Sequence, residues 1–340
     1  MRGSNLRVLH ITLMEIQTIK AGSLSTISWV GDNIIDWAKT TTYLANGTVK
    51  QGGTYYSFGF DAAITSADGQ YAFIYKRLGT KGLLLKDGEE LREINRSYYC
   101  ADAYEYPAAF VTVDGVTYLI HCPLEYCRID FENVETGELV TDIPGREPAD
   151  VFHSRFEISP GSKYLMSKGW VWHPLDVVYA FNITECLNNP LLLDQWHLYD
   201  EHTAEICTAS FIDDELVLLG ASDESINDEA TGFLKNHIAI WNILTRTIES
   251  KAKVDVEFGN LFAINADFAW DTVGHPKIIN IKTGEVVDRQ EDFDSGDQRS
   301  SIISDSNTPP QIVFKRHTKQ LAITDKEGIT ILTPSPQYRQ

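Results

Sequence analysis

Apolar and polar positions alternate with a period of two over much of the chain, and short turn signals punctuate the alternation. Residues Asp176 to Ile183 show it clearly. Val177, Tyr179 and Phe181 fall on one side, Val178, Ala180 and Asn182 on the other, the pattern of a half-buried strand. Tyr164-Leu165-Met166 predicts a preceding strand. Before it, Ser159-Pro160-Gly161-Ser162-Lys163 predicts a tight reversal, since proline presets φ and glycine permits φ > 0. Phe156 to Ile183 therefore reads as strand, turn, strand, aromatic loop (Gly169 to Pro174), strand.

The unit recurs. Ser66-Ala67-Asp68-Gly69-Gln70-Tyr71 and Val113-Asp114-Gly115-Val116-Thr117-Tyr118 parallel that turn and its Tyr164, and Phe211 to Leu216 is a degenerate fourth copy. Tyr71, Tyr118 and Tyr164 are spaced by about 46–47 residues, near the period of a four-stranded propeller blade. A second signature follows the first. Ile278 to Val287 predicts a hairpin around Thr283-Gly284, and Ile238 to Ile248 matches it with Arg246 where glycine would sit. Cys127 to Val140 and Leu83 to Leu91 carry the same hairpin.

On these residues the chain resembles a β-propeller of the WD-repeat or YVTN-like kind, with degenerate repeats. Ser159 to Leu165 carries the SPDGKYL-like turn, and Trp241 to Thr247 the hairpin of the W-D-x-x-T-G kind. Gly274-His275 and Asp36-Trp37 stand away from the places those pairs hold in strict WD repeats. The resemblance implies an all-β fold of about seven four-stranded blades. They tile near 17–53, 55–95, 104–143, 150–199, 204–254, 258–288 and 300–332. The last lacks strand material, and Asn5 to Leu13 is expected to close the ring, hiding two sheet edges. One domain, 5–334, is expected, with 335–340 as a tail and 1–4 resembling an expression leader. Thr184 to Asp194 reads as an insertion with a short helix capped by Thr184 and ended by Pro190, before an outer strand from Gln195 to Tyr199.

The balance of 29 basic against 48 acidic residues gives a net charge of −19. Such a surface repels nucleic-acid backbones and anionic membranes and favours solubility or basic partners. No apolar run reaches the length of a membrane span. Cys100, Cys122, Cys127, Cys186 and Cys207 are odd in number and match no zinc spacing, so free thiols and a cytoplasmic location are expected. Asn46, Asn95 and Asn182 begin chance-level glycosylation sequons.

In propellers the loop after each blade's second strand shares a face with the connections between blades, and the resemblance makes that the ligand side. There blade 4 carries Trp170, Trp172 and His173. Trp170 packing between blades and His173 capping a strand end is one reading; an aromatic anchor for a partner is the other. Blade 5 carries Asp223, Glu224, Asp228 and Glu229, and the segment after blade 6 carries Asp292, Asp294 and Asp297. These are either solvated loops or an acidic rim for a basic partner. The last three fail the EF-hand spacing for calcium. His197 and His202 flank a strand end and read as structural. No metal or cofactor is expected, and no G-x-S-x-G, P-loop, H-E-x-x-H or G-x-G-x-x-G motif occurs. The reading is a monomeric, non-enzymatic module that presents one face to a protein, including an inhibitor of a basic partner. The alternative is a propeller enzyme, hydrolase or lyase, with residues gathered at the channel mouth.

Overall fold

The computed structural model describes residues 14–195, 204–225, 234–303 and 310–339. The strands form seven antiparallel sheets, all but two of them four-stranded. Their innermost strands follow one another around a central channel. They are Ser28–Val30, Ala62–Thr65, Ala108–Val113, Glu157–Ile158, Ala204–Phe211, Leu261–Ala263 and Ile312–Lys315, the last lying again beside Ser28–Val30. The chain is a seven-bladed β-propeller, and the blades are numbered here 1 to 7 in that order.

Alternation builds the blades, because every second side chain must bury against the next sheet. Met166 and Val178 of blade 4 pack on Phe211, Leu219, Ala239 and Trp241 of blade 5. Phe73 and Leu84 of blade 2 pack with Leu119 and Val134 of blade 3. Each such large apolar side chain contributes roughly 1.5–3 kcal/mol by leaving water.

The repeated hairpins share a local cause. Asn133 Oδ1 accepts from the amides of Glu135 and Thr136, Asn242 from Leu244 and Thr245, and Asn280 from Lys282 and Thr283. Each side chain thereby mimics a turn of backbone. Gly137 and Gly284 take positive φ in these turns, and Arg246 takes it at +58° where the glycine is missing. In the blade 4 turn the residue with positive φ is Ser162, not Gly161. Gly161 is needed for space instead: a Cβ there would lie 2.2 Å from Asp214 Oδ2.

The ring is closed by an N-terminal strand. Glu15–Lys20 pairs antiparallel with Gly328–Thr333, from Glu15↔Thr333 to Lys20↔Gly328, and forms the outermost strand of blade 7. The expected strand, Asn5 to Leu13, lies outside the described residues. Blade 1 correspondingly begins at Ser28 rather than Gln17. Blade 7 begins at Ile312, because residues 300–303 leave the ring and cross its face.

Blade 3 has three described strands plus a single Glu132↔Leu139 bridge. Blade 4 also has three, and its insertion folds as helix Ile183–Asn188 followed by a 3-10 turn Pro190–Asp194. Asn182, not Thr184, caps the helix, and Pro190 opens the second turn. Arg146 holds this insertion to blade 3 through Asp194 at 2.8 Å. The predicted outer strand falls beyond Gln195, outside the described residues. Pro336–Arg339 docks on blade 6, where the Tyr338 ring meets Phe268 at 4.8 Å. Among the described residues no helix is long and apolar enough to cross a membrane.

Candidate partner-binding face

Loops after second strands and connections between blades share one face, as the up-and-down order of each sheet requires. Over blades 3 and 4 that face carries an aromatic cluster. Its base is Phe152, which comes from the connection into blade 4 and is fully buried. Phe152 exchanges main-chain hydrogen bonds with Trp170 at 2.9 and 3.1 Å. A Cβ on Gly169 would lie 2.1 Å from Phe152 O, so only glycine permits this approach.

Strand Tyr164–Val171 runs further than the alternation suggested, so the loop shrinks to Trp172-His173-Pro174. The longer strand corrects the expected loop position of Trp170, which is 4% exposed and stacks on Phe152, with centroids 3.9 Å apart. Trp172 stands edge-on to both rings at 5.3 Å and keeps 46% of its surface in solvent. His173 is exposed with φ +96°, a strained position in the tight loop.

Sequence reasoning missed the companions of Trp172. Tyr99 packs 5.9 Å from Phe152 and 6.4 Å from Trp172. Tyr126 lies 4.5 Å from Phe152, and its hydroxyl donates to Asp150. Burial, then the Asp150 carboxylate, pushes the Tyr126 phenol well above its usual range. Tyr98, Tyr99, Leu124 and Trp172 are exposed apolar surface here, and Tyr98 is 86% exposed. Asp102, Glu125 and Asp150 are exposed in the same loops. The signal in the sequence was Tyr98-Tyr99 in a connection between blades, where neither ring serves a strand.

The acidic candidates do not all gather here. Asp223 is exposed near the end of strand Leu216–Ser225. The side chain of Glu224 lies outside the described residues, as do Asp228, Glu229, His197 and His202. Asp292, Asp294 and Asp297 line a cleft of 1110 Å³ elsewhere on the face, with Asp61, Asp325 and Glu327, against Arg77 and Lys326.

Residues 298–303 cross the face between these regions. Arg299 pairs with Glu257 at 2.9 Å. Ser301 donates its amide to Asp176 Oδ1 at 2.8 Å, and its hydroxyl lies 2.9 Å from Lys168 O. Arg155 donates to Ser301 Oγ and to Cys207 O of blade 5. Ile303 donates its amide to Ala103 O at 2.8 Å. Burial raises the Asp176 carboxyl above its usual range, against the opposing pull of Arg155 and the serine donors.

A second group of charges bridges strands deeper in the ring. Glu157 pairs with Lys168 at 2.9 Å and with Arg316 of blade 7. Burial alone would raise Glu157, but those two cations outweigh it and hold it at about 2. Burial likewise drives His153 down to about 3, so it is neutral beside Ser167 Oγ at 3.0 Å. Among the described residues no three His, Cys, Asp or Glu side chains are grouped to hold a metal ion.

No protein-family model and no curated protein matches the chain. Solved structures do resemble it. A streptogramin B lyase superposes with a TM-score of 0.55 at 11% identity, covering 94% of this chain and 97% of the other. The Pan2 WD40 domain of Neurospora crassa gives 0.54 at 9% identity, covering 93% and 90%. At such identities the likeness is one of fold.

Proposed function

We propose that the chain is a binding protein that presents the blade 3–4 face to a protein partner carrying a basic surface. One observation carries this reading. Trp172 and Tyr99 hold apolar surface in solvent against the buried Phe152–Trp170 stack, and Tyr98, Leu124 and several carboxylates are exposed in the same loops. A rigid aromatic anchor with a charged surround is the anatomy of an interface hot spot. The net charge of −19 adds long-range attraction for a basic partner. The alternative, an enzyme with its site at the channel mouth, has no comparable observation in its favour.

The test compares proteins captured from the native cell by wild type, Trp172→Ala and Leu244→Ala, quantified by mass spectrometry. Leu244 is an exposed leucine in a hairpin turn on the opposite face. A partner retained by wild type and Leu244→Ala but depleted by Trp172→Ala supports the reading. Equal capture by all three rejects it.

A further inference from the structure

Blades 6 and 7 are neighbours in the ring, yet the chain between Arg289 and Ile312 does not join them directly. Within its described part, residues 299–303 take their contacts from blades 3 and 4 and from the connection into blade 6. Long detours of this kind are uncommon in compact domains and are usually functional.

The contacts resemble those of a bound peptide. Ile302 forms an antiparallel bridge with Tyr104, and the next amide, Ile303 N–H, bonds to Ala103 O, so the segment docks in strand fashion on the connection into blade 3. Ile302 packs against Tyr104, Phe152 and Trp170. Ser301 is 1% exposed and sits in a polar socket. Asp176 takes its amide, the carbonyls of Lys168 and Gly169 lie within reach of its hydroxyl, and Arg155 donates to that hydroxyl. The socket has room for a small hydroxyl residue, and the aromatic wall beside it suits a β-branched aliphatic side chain.

We propose that residues 299–303 are an internal peptide ligand. The groove they fill is a binding site for an extended peptide segment with serine or threonine followed by β-branched aliphatic residues. An external segment of that chemistry competes with the internal one for the same main-chain and side-chain contacts. The groove beneath this segment shares the Phe152–Trp170 stack with the partner reading above but not the exposed ring of Trp172, so Trp172→Ala separates the two.

The probe is a fluorescently labelled synthetic peptide with the sequence of residues 298–303, followed by anisotropy on the full chain. Ile302→Ala removes the internal anchor and leaves the groove intact. Gly259→Ala displaces the segment from outside the groove, since a Cβ there would lie 2.7 Å from Arg299 Cα. Emptying the site raises apparent affinity in proportion to the empty fraction. The peptide is expected to bind both variants at least about tenfold more tightly than wild type. A peptide with aspartate at the Ile302 position is expected to bind none of them. Equal affinity for wild type and either folded variant overturns the proposal, as does failure to bind both. If one variant does not fold, the other decides.

Discussion

Phe152 lies flat on Trp170, with centroids 3.9 Å apart and planes within 3°, and Trp172 meets both rings edge-on. The buried pair is the floor and Trp172 the exposed part above it. The two layers should therefore separate in mutagenesis. Phe152→Ala is expected to cost about 3–5 kcal/mol, the usual range for a buried phenylalanine. Trp172→Ala should cost under about 1 kcal/mol of stability, as a truncation on the solvent side. Urea unfolding of both variants measures this. Similar losses would mean that Trp172 is part of the core.

For binding, the order should reverse. Once a partner is captured, Trp172→Ala is expected to weaken it by roughly thirtyfold, the equivalent of about 2 kcal/mol. Surface plasmon resonance with the purified pair checks the figure, and the loss should appear mainly in the dissociation rate.

The acidic cleft should act through rate rather than contact. Converting Asp292, Asp294 and Asp297 to asparagine removes three of its carboxylates. Association of a basic partner should slow and its salt dependence flatten, with dissociation nearly unchanged. Stopped-flow measurements at two ionic strengths distinguish these effects. An unchanged salt dependence would place the cleft outside the encounter surface.

Much of the ring was legible in the sequence because its rules are local. Alternation marked the strands, and the Asn133, Asn242 and Asn280 turns depend on residues within three positions. Trp172, one of the candidate residues, is the exposed ring of its hairpin. Phe152 escaped notice because Asp150-Val151-Phe152-His153 reads like the start of a strand, and its partner Trp170 is contributed by a different segment. Tyr99 joins that cluster only through the curvature of the ring. The sequence places the start of blade 7 at Ser300, since nothing nearby announces the bond from Ser301 to Asp176. Asp176 is 125 residues away from it. Contacts set by the ring's closure leave no periodic trace.

Acid should destabilise the fold in two overlapping steps. His153 has a folded value of about 3 against an ordinary 6.5. Between those values the unfolded chain binds the proton more readily, so stability falls as pH drops below 6.5. Glu157, at about 2 against 4.5, contributes stability that is complete above 4.5 and is lost as pH falls towards 2. Melting temperatures from pH 7 to 3 are expected to decline from near 6.5. His153→Gln should flatten the upper part of that decline, and a parallel curve for this variant would remove His153 from the account.

The cysteines should behave as unpaired thiols of unequal reactivity. All five are free, and Cys100 alone is not buried. Burial pushes Cys127 up to about 11 and Cys186 to about 12, which suppresses their thiolates at neutral pH. Alkylation of native protein at pH 8, followed by mass spectrometry, should label Cys100 first. Reductant should leave the melting temperature unchanged. Rapid labelling of Cys207 would contradict its burial.

Pairing Glu15–Lys20 with Gly328–Thr333 makes blade 7 a clasp between segments at opposite ends of the described chain. The other blades draw their strands from consecutive sequence, so each can pair its strands locally and pack on its neighbour as the chain is made. The clasp must instead wait until both of its halves exist, and it bears the entropy of closing almost the entire chain into one loop. Folding should therefore end on a slow step that leaves six blades in place with an open edge at either side of the gap. Opening the same clasp is the natural first move of unfolding, so the lifetime of the native ring is set at one seam.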